Sequence, residues 1–389
     1  MSPLISIIMP VYNNERYFPI AVQSVLDQSF TDFELIIISE RSTDDTSKIA
    51  DEFAMKDGRV RVIHLENQWI YASLNSGVAI AGGEYVYFLN SDDSLKPDAL
   101  KIISDIAVKY SPDVVWTCLE VHECDEHQTI TKSNVFTSGV NDCFYSGVNE
   151  VRENYIYFYK SQLSHNQLNL YQASIAKKHK FRNDIYGADQ FFNISIASDL
   201  NSAYICSTPV YNFFIYEGNQ MNASVGKYYG YEHEMYNDLY MEYARLFRSW
   251  NTWNDDIEDV LSASRLTYLT GECRSFFAQN CSLSTEEKLR GIFGAVDDLV
   301  YNCAVKTNRL EELESRILSV CNEFFSRETI DSSSAYYFVY ELLESLLRYE
   351  KTNEDMQKIK SGVYHKNNPF HLGKCFYEKL IKGTDIQEV

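Results

Sequence analysis

No glycine stands between Met1 and Asp57. Dinucleotide sites of the G-x-G-x-x-G kind and P-loops both need glycine after the first strand, so that phosphate can approach the backbone at a helix N-terminus; both are excluded here. Positive charge is also scarce, with 35 basic against 55 acidic side chains and a formal net charge of -20. A surface of that sign repels nucleic-acid phosphates, so nucleic acid is not an expected partner. Anionic membrane is disfavoured by the same field. The C-terminal stretch with Lys351, Lys358, Lys360, Lys366, Lys374, Lys379 and Lys382 is the one candidate for peripheral contact. No run approaches the roughly 18 consecutive apolar residues that crossing a bilayer requires. The 9 cysteines are scattered singly from Cys118 to Cys375 without a CxxC, and Met1 leads into Ser2-Pro3-Leu4 with neither a charged start nor a long apolar core. Both features predict a reduced, cytoplasmic chain, at most peripheral at the inner face of the membrane.

What remains is the composition of a folded protein. Hydrophobic residues make up 45% and charged residues 23% of 389, enough to bury two cores. Short apolar runs alternate with helical periodicity over the first 120 residues, the pattern of a mostly parallel sheet covered by helices. Leu4 to Met9, Leu35 to Ile38, Val60 to Leu65, Tyr85 to Leu89 and Val114 to Cys118 are the expected strands. The continuous run at Leu35 is that of a strand buried on both faces. Helical faces are expected at Ala21 to Leu26, Ile49 to Phe53 behind the Ser42-Thr43-Asp44 cap signal, Leu74 to Ala81, and Leu100 to Tyr110 with Pro97 at its first position. Loops and edge structure are expected from Cys124 to about Val151. From Gly226 onward helical signals replace strand signals: Ser284 with Glu287 forms a capping box, and Leu310 to Phe324 and Val339 to Leu346 carry helical spacing. We therefore expect an α/β domain over residues 1–225 and an all-α domain over 226–389, the latter for packing, oligomerisation or acceptor recognition.

Ligands of open α/β sheets bind beyond the carboxyl ends of the strands. The segments there are Pro10-Val11-Tyr12-Asn13-Asn14, Ser39-Glu40 and Asn90-Ser91-Asp92-Asp93, an aromatic ring and at least three carboxylates on one edge. Adjacent carboxylates repel, by about 4 kcal/mol at ~4 Å and an effective dielectric near 20. A divalent cation reverses that sign, and oxygen ligation by one or two carboxylates with substrate phosphates suits Mg or Mn. Asp92-Asp93 is thus either a diphosphate-metal site or a solvated turn.

Several ordered motifs resemble family 2 glycosyltransferases. They are Ile5-Ser6-Ile7-Ile8-Met9-Pro10-Val11-Tyr12-Asn13, the stretch from Ser24 to Ile37, Ser42-Thr43-Asp44-Asp45-Thr46, Ser73-Leu74-Asn75-Ser76-Gly77, Ala81-Gly82-Gly83-Glu84-Tyr85 and Leu89-Asn90-Ser91-Asp92-Asp93. Leu168-Asn169-Leu170-Tyr171, Phe181, the stretch Gly187 to Phe192 and Pro209-Val210-Tyr211 are similar to the acceptor-side half. The resemblance ends near residue 225. It implies a GT-A fold and inverting transfer from a nucleotide-sugar, with UDP as nucleotide, to a glycan, glycolipid or glycoprotein acceptor in surface polysaccharide synthesis or protein glycosylation. By resemblance Tyr12 stacks on the donor base and Glu40 contacts it, with Pro10, Val11, Asn67 and Ser91 completing the nucleotide-sugar site. Asp92 contacts ribose or metal, Asp93 binds Mn or Mg, and Asp189 is the general base.

Three positions depart from that pattern. Ser39-Glu40-Arg41 replaces Asp-Asp-Gly, Asn90 replaces an Asp, and Ala188 replaces the Glu before Asp189. They motivate an alternative, a catalytically silent GT-A domain acting as a binding or scaffold subunit. Asp189 has a bland reading as a cap of the helix carrying Phe191 and Phe192. His122, Cys124 and His127 lack the second ligand pair of a zinc site and are better explained as paired strand and turn residues. Trp69 and Tyr71 are the aromatic residues placed to meet a sugar.

Overall fold

The computed structural model describes residues 2–327 except 67–68, 126, 128, 138, 161–164 and 217–226. The helical spacing at Val339 to Leu346 and the lysine-bearing C-terminal stretch lie outside the described residues. Two compact units emerge: Met1–Ala223 with Arg245–Thr252, and Ser224–Ala244 with Trp253–Val389.

In the first unit, the chain runs β1 (Ile5–Val11), α1 (Phe18–Leu26), β2 (Phe33–Glu40), α2 (Thr46–Lys56), β3 (Val60–Leu65), α3 (Ile70–Ile80), β4 (Tyr85–Phe88), β5 (Ser94–Leu95), α4 (Ala99–Tyr110) and β6 (Val114–Cys124). It continues through β7 (Ile130–Phe136), β8 (Cys143–Tyr145), α5 (Val148–Lys160), a 3-10 turn (Asn166–Leu168), β9 (Asn169–Gln172), α6 (Ala173–Ala176), α7 (Ala188–Ala197) and β10 (Ala203–Tyr216). The sheet order is β3-β2-β1-β4-β9-β6-β10-β5. The pairs of β1 with β2 and β4, of β2 with β3, and of β6 with β10 are parallel. β9 is antiparallel to both its neighbours.

The buried runs do what their composition requires. Every residue of β1, β2 and β4 is buried, because helices cover both faces of a parallel sheet. α3 approaches β1 so closely that a Cβ on Gly77 would lie 2.4 Å from Ile8 Cγ2. β1 pairs with β4 only as far as Ile8 and Phe88, so Pro10, which has no N–H to give, stands where that pairing has ended. The chain leaves β1 in one direction for β2 and β3 and returns on the other side as β4. The crevice between β1 and β4 is therefore the topological switch point.

Several expectations need correction. Pro97 precedes the N-cap Asp98 of α4 and is not its first residue, and α2 is preceded by Asp45. The weakly patterned stretch after Cys124 does carry edge structure, β7 on β6 and β8 on β10, but it also starts α5 at Val148. β10 is irregular: Ile205 lies opposite Trp116, whereas Tyr211 lies opposite Leu119.

The second unit contains α8 (Glu232–Ser249, whose last residues belong to the first unit), α9 (Asp255–Ser275), α10 (Thr285–Gly294), α11 (Asp298–Lys306) and α12 (Leu310–Arg327). Both halves of the Ser284–Glu287 capping box are formed. Leu266, Leu269, Leu289, Ile292, Leu313 and Phe324 belong to its apolar core. Beneath that core, Arg265 pairs with Glu272 at 3.2 Å, both buried, and His233 bridges Glu272 and Asp297. Burial opposes protonation of His233, but its bonds to Asp297 and Glu272 prevail and push it up to about 9.

Candidate active site

The loops that follow β1 and β2 are laced together. Asn13 takes a left-handed backbone, φ 46°, and its Oδ1 accepts from the Thr43 N–H at 2.7 Å while its own N–H donates to Ser42 Oγ. Asn14 N–H donates to Thr46 Oγ1 at 2.7 Å, and Asn14 Nδ2 reaches Ser91 Oγ at 3.0 Å in the loop after β4. These bonds set Tyr12, which is 43% exposed, at the open end of β1. Pro10 and Val11 sit in register with Ile38 and Ser39. Glu40, at the end of β2, is buried, and its Oε1 accepts from Ser73 Oγ of α3 at 2.7 Å. Asn67 lies outside the described residues.

After β4 the two adjacent carboxylates are treated differently. Asp93 is 3% exposed and receives Tyr211 Oη at 2.6 Å, Asn90 Nδ2 at 3.2 Å and the Phe214 N–H at 2.9 Å. Burial, with Asp92 beside it, holds its carboxyl well above the ordinary carboxylate range. Burial also raises Asp92. Among the described residues no side chain donates to Asp92. The oxygens of Asp93, by contrast, already carry three protein donors.

Asp189 lies in the first turn of α7, two residues after the N-cap Gly187, so it is not itself the N-cap residue. Its Oδ2 pairs instead with His165 Nδ1 at 2.9 Å. Tyr71 of α3 faces the N–H groups of Gly187, Ala188 and Asp189, and burial followed by the Asp189 charge keeps its hydroxyl protonated. Tyr71 also lies over Phe181, 5.9 Å between centroids, and beside Trp69. Trp69 has φ 75° and ψ 148°, a combination otherwise almost confined to glycine.

Residues 165–167 connect the two ends of the site. His165 holds Asp189, and two residues on, Gln167 Nε2 comes within 3.4 Å of Asn90 Oδ1, the same Asn90 that donates to Asp93. The sequence-predicted residues after β1, β2 and β4 and at the start of α7 are thus linked by short contacts: Tyr12 through Asn14 and Ser91, Glu40 through Ser73 and α3, Asp93 through Asn90 and Gln167, Asp189 through His165. Sequence reasoning missed His165, Gln167 and the donor role of Tyr211. A lone histidine 24 residues before its partner carries no spacing signal. His122, by contrast, is an ordinary strand residue, bonded to Ser133 and Asn212.

A β-α sheet with its crevice at the β1/β4 switch point, an exposed ring, and acidic residues at two strand ends define an α/β domain of the GT-A type. Residues 6–179 match the family model described as Glycosyl transferase family 2; Asp189 and β10 lie beyond that match. The chain is 37% identical to glycosyltransferase GlyG of Streptococcus pneumoniae serotype 4 over 116 residues, 30% of this chain and 38% of that protein. It is 34% identical to chondroitin synthase of Escherichia coli over 144 residues, 37% of this chain and 20% of that protein. The alignments thus span well under half the length of these relatives. S. aureus TarS 1–349, solved in complex with UDP-GlcNAc, shares the fold with a TM-score of 0.54 at 16% identity, over 84% of this chain and 93% of that one. Over residues 6–179, then, the chain is similar to the family 2 glycosyltransferases.

Proposed function

We propose that the chain is an inverting glycosyltransferase that moves a sugar from a UDP-sugar to a hydroxyl of a glycan, glycolipid or glycoprotein in surface polysaccharide synthesis or protein glycosylation. The observation that carries this reading is the link through residues 165–167 between Asp189 and the Asn90–Asp93 cluster. The family match and the relatives GlyG and chondroitin synthase support sugar transfer. TarS with bound UDP-GlcNAc supports the donor class.

Tyr12 stacks on the donor base at the mouth of β1, beside Pro10 and Val11. Glu40, aimed by Ser73, takes a hydrogen bond from the base, and Ser91 lies next to the ribose. Asn67 is assigned to the donor site by the family resemblance alone. Asp92 and Asp93 would hold Mn or Mg, Asp92 without a side-chain donor among the described residues and Asp93 as the buried anchor. The donor set fits, since hard cations of this kind take one or two carboxylates and complete their shell with phosphate oxygens. When bound, such a cation neutralises charge that develops on the leaving diphosphate. At the other end, Asp189 accepts the proton of the acceptor hydroxyl as the new carbon–oxygen bond forms and the bond to the diphosphate breaks, a contribution of about 10²–10⁴-fold. The helical unit serves packing, oligomerisation or acceptor recognition. Among the described residues no helix is long and apolar enough to cross a membrane, and any membrane contact is peripheral, from the cytoplasmic side.

Thermal shift with UDP and UDP-GlcNAc, with and without manganese, tests the site, because a ligand that binds only the folded state raises its melting point. Asp92→Asn should remove the manganese-dependent part of the shift, and Asp189→Asn should keep it while abolishing transfer. Silence toward every nucleotide, in parent and variants alike, would leave the scaffold alternative standing instead.

A further inference from the structure

We propose that His165 is a positioning residue for Asp189, fixing one carboxylate oxygen so that the other faces the acceptor hydroxyl; this rests on the reading of Asp189 as the base. His165 Nδ1 stands 2.9 Å from Asp189 Oδ2, and the imidazole is the more exposed partner, at 42% against 11% for the two side chains. A carboxylate pinned at Oδ2 by an N–H donor keeps Oδ1 as its open proton acceptor.

The anchor behind His165 is stronger than the single bond. Asn169 Nδ2 donates to the His165 carbonyl at 2.7 Å and also to Tyr171 Oη at 2.7 Å. Tyr171 Oη in turn donates to Asn193 Oδ1 at 2.7 Å. Asn169, Tyr171 and Asn193 are all buried. Asn193 stands four residues after Asp189 on α7, and residues at that spacing share a helix face. The segment from His165 to Tyr171 therefore grips α7 twice on one face, once through Asn193 and once through the Asp189 carboxylate. Two grips one helical turn apart fix both the rotation of α7 and the direction of the carboxylate, which is what a base needs when its acceptor must be met within a few tenths of an ångström.

The test uses the full chain and manganese-dependent release of UDP from UDP-GlcNAc, UDP-glucose and UDP-galactose, with water or a supplied acceptor. His165→Leu should lower kcat about tenfold to a hundredfold, the scale of a misplaced catalytic group, while donor KM and the UDP-induced thermal shift stay within about twofold of the parent. His165→Asn should recover most of kcat, since Asn Nδ2 can stand where Nδ1 stood. If Asp189→Asn is inactive but His165→Leu turns over like the parent, the proposal falls and the base assignment survives. If Asp189→Asn itself turns over normally, the base assignment falls and the proposal with it. Loss of UDP binding in both His165 variants, without rescue by asparagine, would show a purely structural role and overturn the proposal. Because Asn keeps the donor and nearly the shape, it carries the test even where the leucine variant does not fold.

Discussion

Replacing Tyr211 by phenylalanine removes one oxygen atom and nothing else, from a residue with no solvent exposure. That oxygen donates to Asp93 Oδ2 at 2.6 Å and accepts from the Asn90 N–H at 3.3 Å. A hydrogen bond to a charged group is worth about 1.5–3 kcal/mol, and a buried N–H left without a partner costs about 1 kcal/mol more. No cavity forms, because the ring stays. The expected loss is about 3 kcal/mol, which for a unit of about 230 residues lowers the melting temperature by about 6–12 °C. The Asp93 carboxylate, left with Asn90 Nδ2 and the Phe214 N–H, also loses its direction, so the manganese-dependent gain with UDP should shrink. Calorimetric melts of the parent, Tyr211→Phe, Asp93→Asn and the double variant form a cycle that isolates the pair. A drop smaller than about 2 °C, or additive effects in the cycle, would refute the assignment of Tyr211 as the main support of Asp93.

Trp69 gives a test of backbone strain. Alanine is normally the more stable choice over glycine by about 0.5–1 kcal/mol, but at φ 75° and ψ 148° a side chain costs about 1–3 kcal/mol. Trp69→Gly should therefore be more stable than Trp69→Ala by about 1 kcal/mol in urea unfolding; the opposite order would mean the loop carries no strain. In the helical unit, His233 is held up to about 9 from an ordinary 6.5. A raised histidine contributes stability that is complete below the unfolded value and is lost as pH rises through the folded one, so stability should decline between about pH 6.5 and 9 by at most about 3 kcal/mol. His233→Gln should flatten that decline, as read from melts at stepped pH. Arg265→Leu leaves the buried Glu272 with His233 as its one remaining charged partner among the described residues and should cost up to about 3–5 kcal/mol, with Arg265→Leu/Glu272→Leu recovering most of it; equal melting of the single and double variants would show that the pair is not what sets the cost.

The sequence made the first half of the sheet legible because buried parallel strands are chemically plain. Leu35-Ile36-Ile37-Ile38 and Tyr85 to Leu89 have few other ways to fold, and Val60–Leu65 is bounded as the periodicity predicts. β10 was not legible: Ser207, Thr208 and Pro209 interrupt its apolar pattern at the place where its register shifts. The carboxylates at strand ends were legible because a sheet has one ligand edge, and polar residues directly after apolar runs must lie on it. Which of Asp92 and Asp93 is held by protein donors was not, because the answer comes from Tyr211 and Phe214, more than a hundred residues away. The partner of Asp189 was hidden for the same reason, a contact made by tertiary folding with no spacing rule behind it.

The shift in β10 has a consequence for how this chain tolerates change in length. Six steps along β10, from Ile205 to Tyr211, match three along β6, from Trp116 to Leu119. Three surplus residues is an odd number, and side chains alternate between faces, so Tyr211 emerges on the opposite side of the sheet from Ile205. Losing or gaining one residue between 206 and 210 would turn the far half of the strand over, exchanging the phenol that meets Asp93 for a neighbour from the other face. Insertions elsewhere on the surface cost a little entropy; here a single codon would disconnect the acidic end of the crevice from its support.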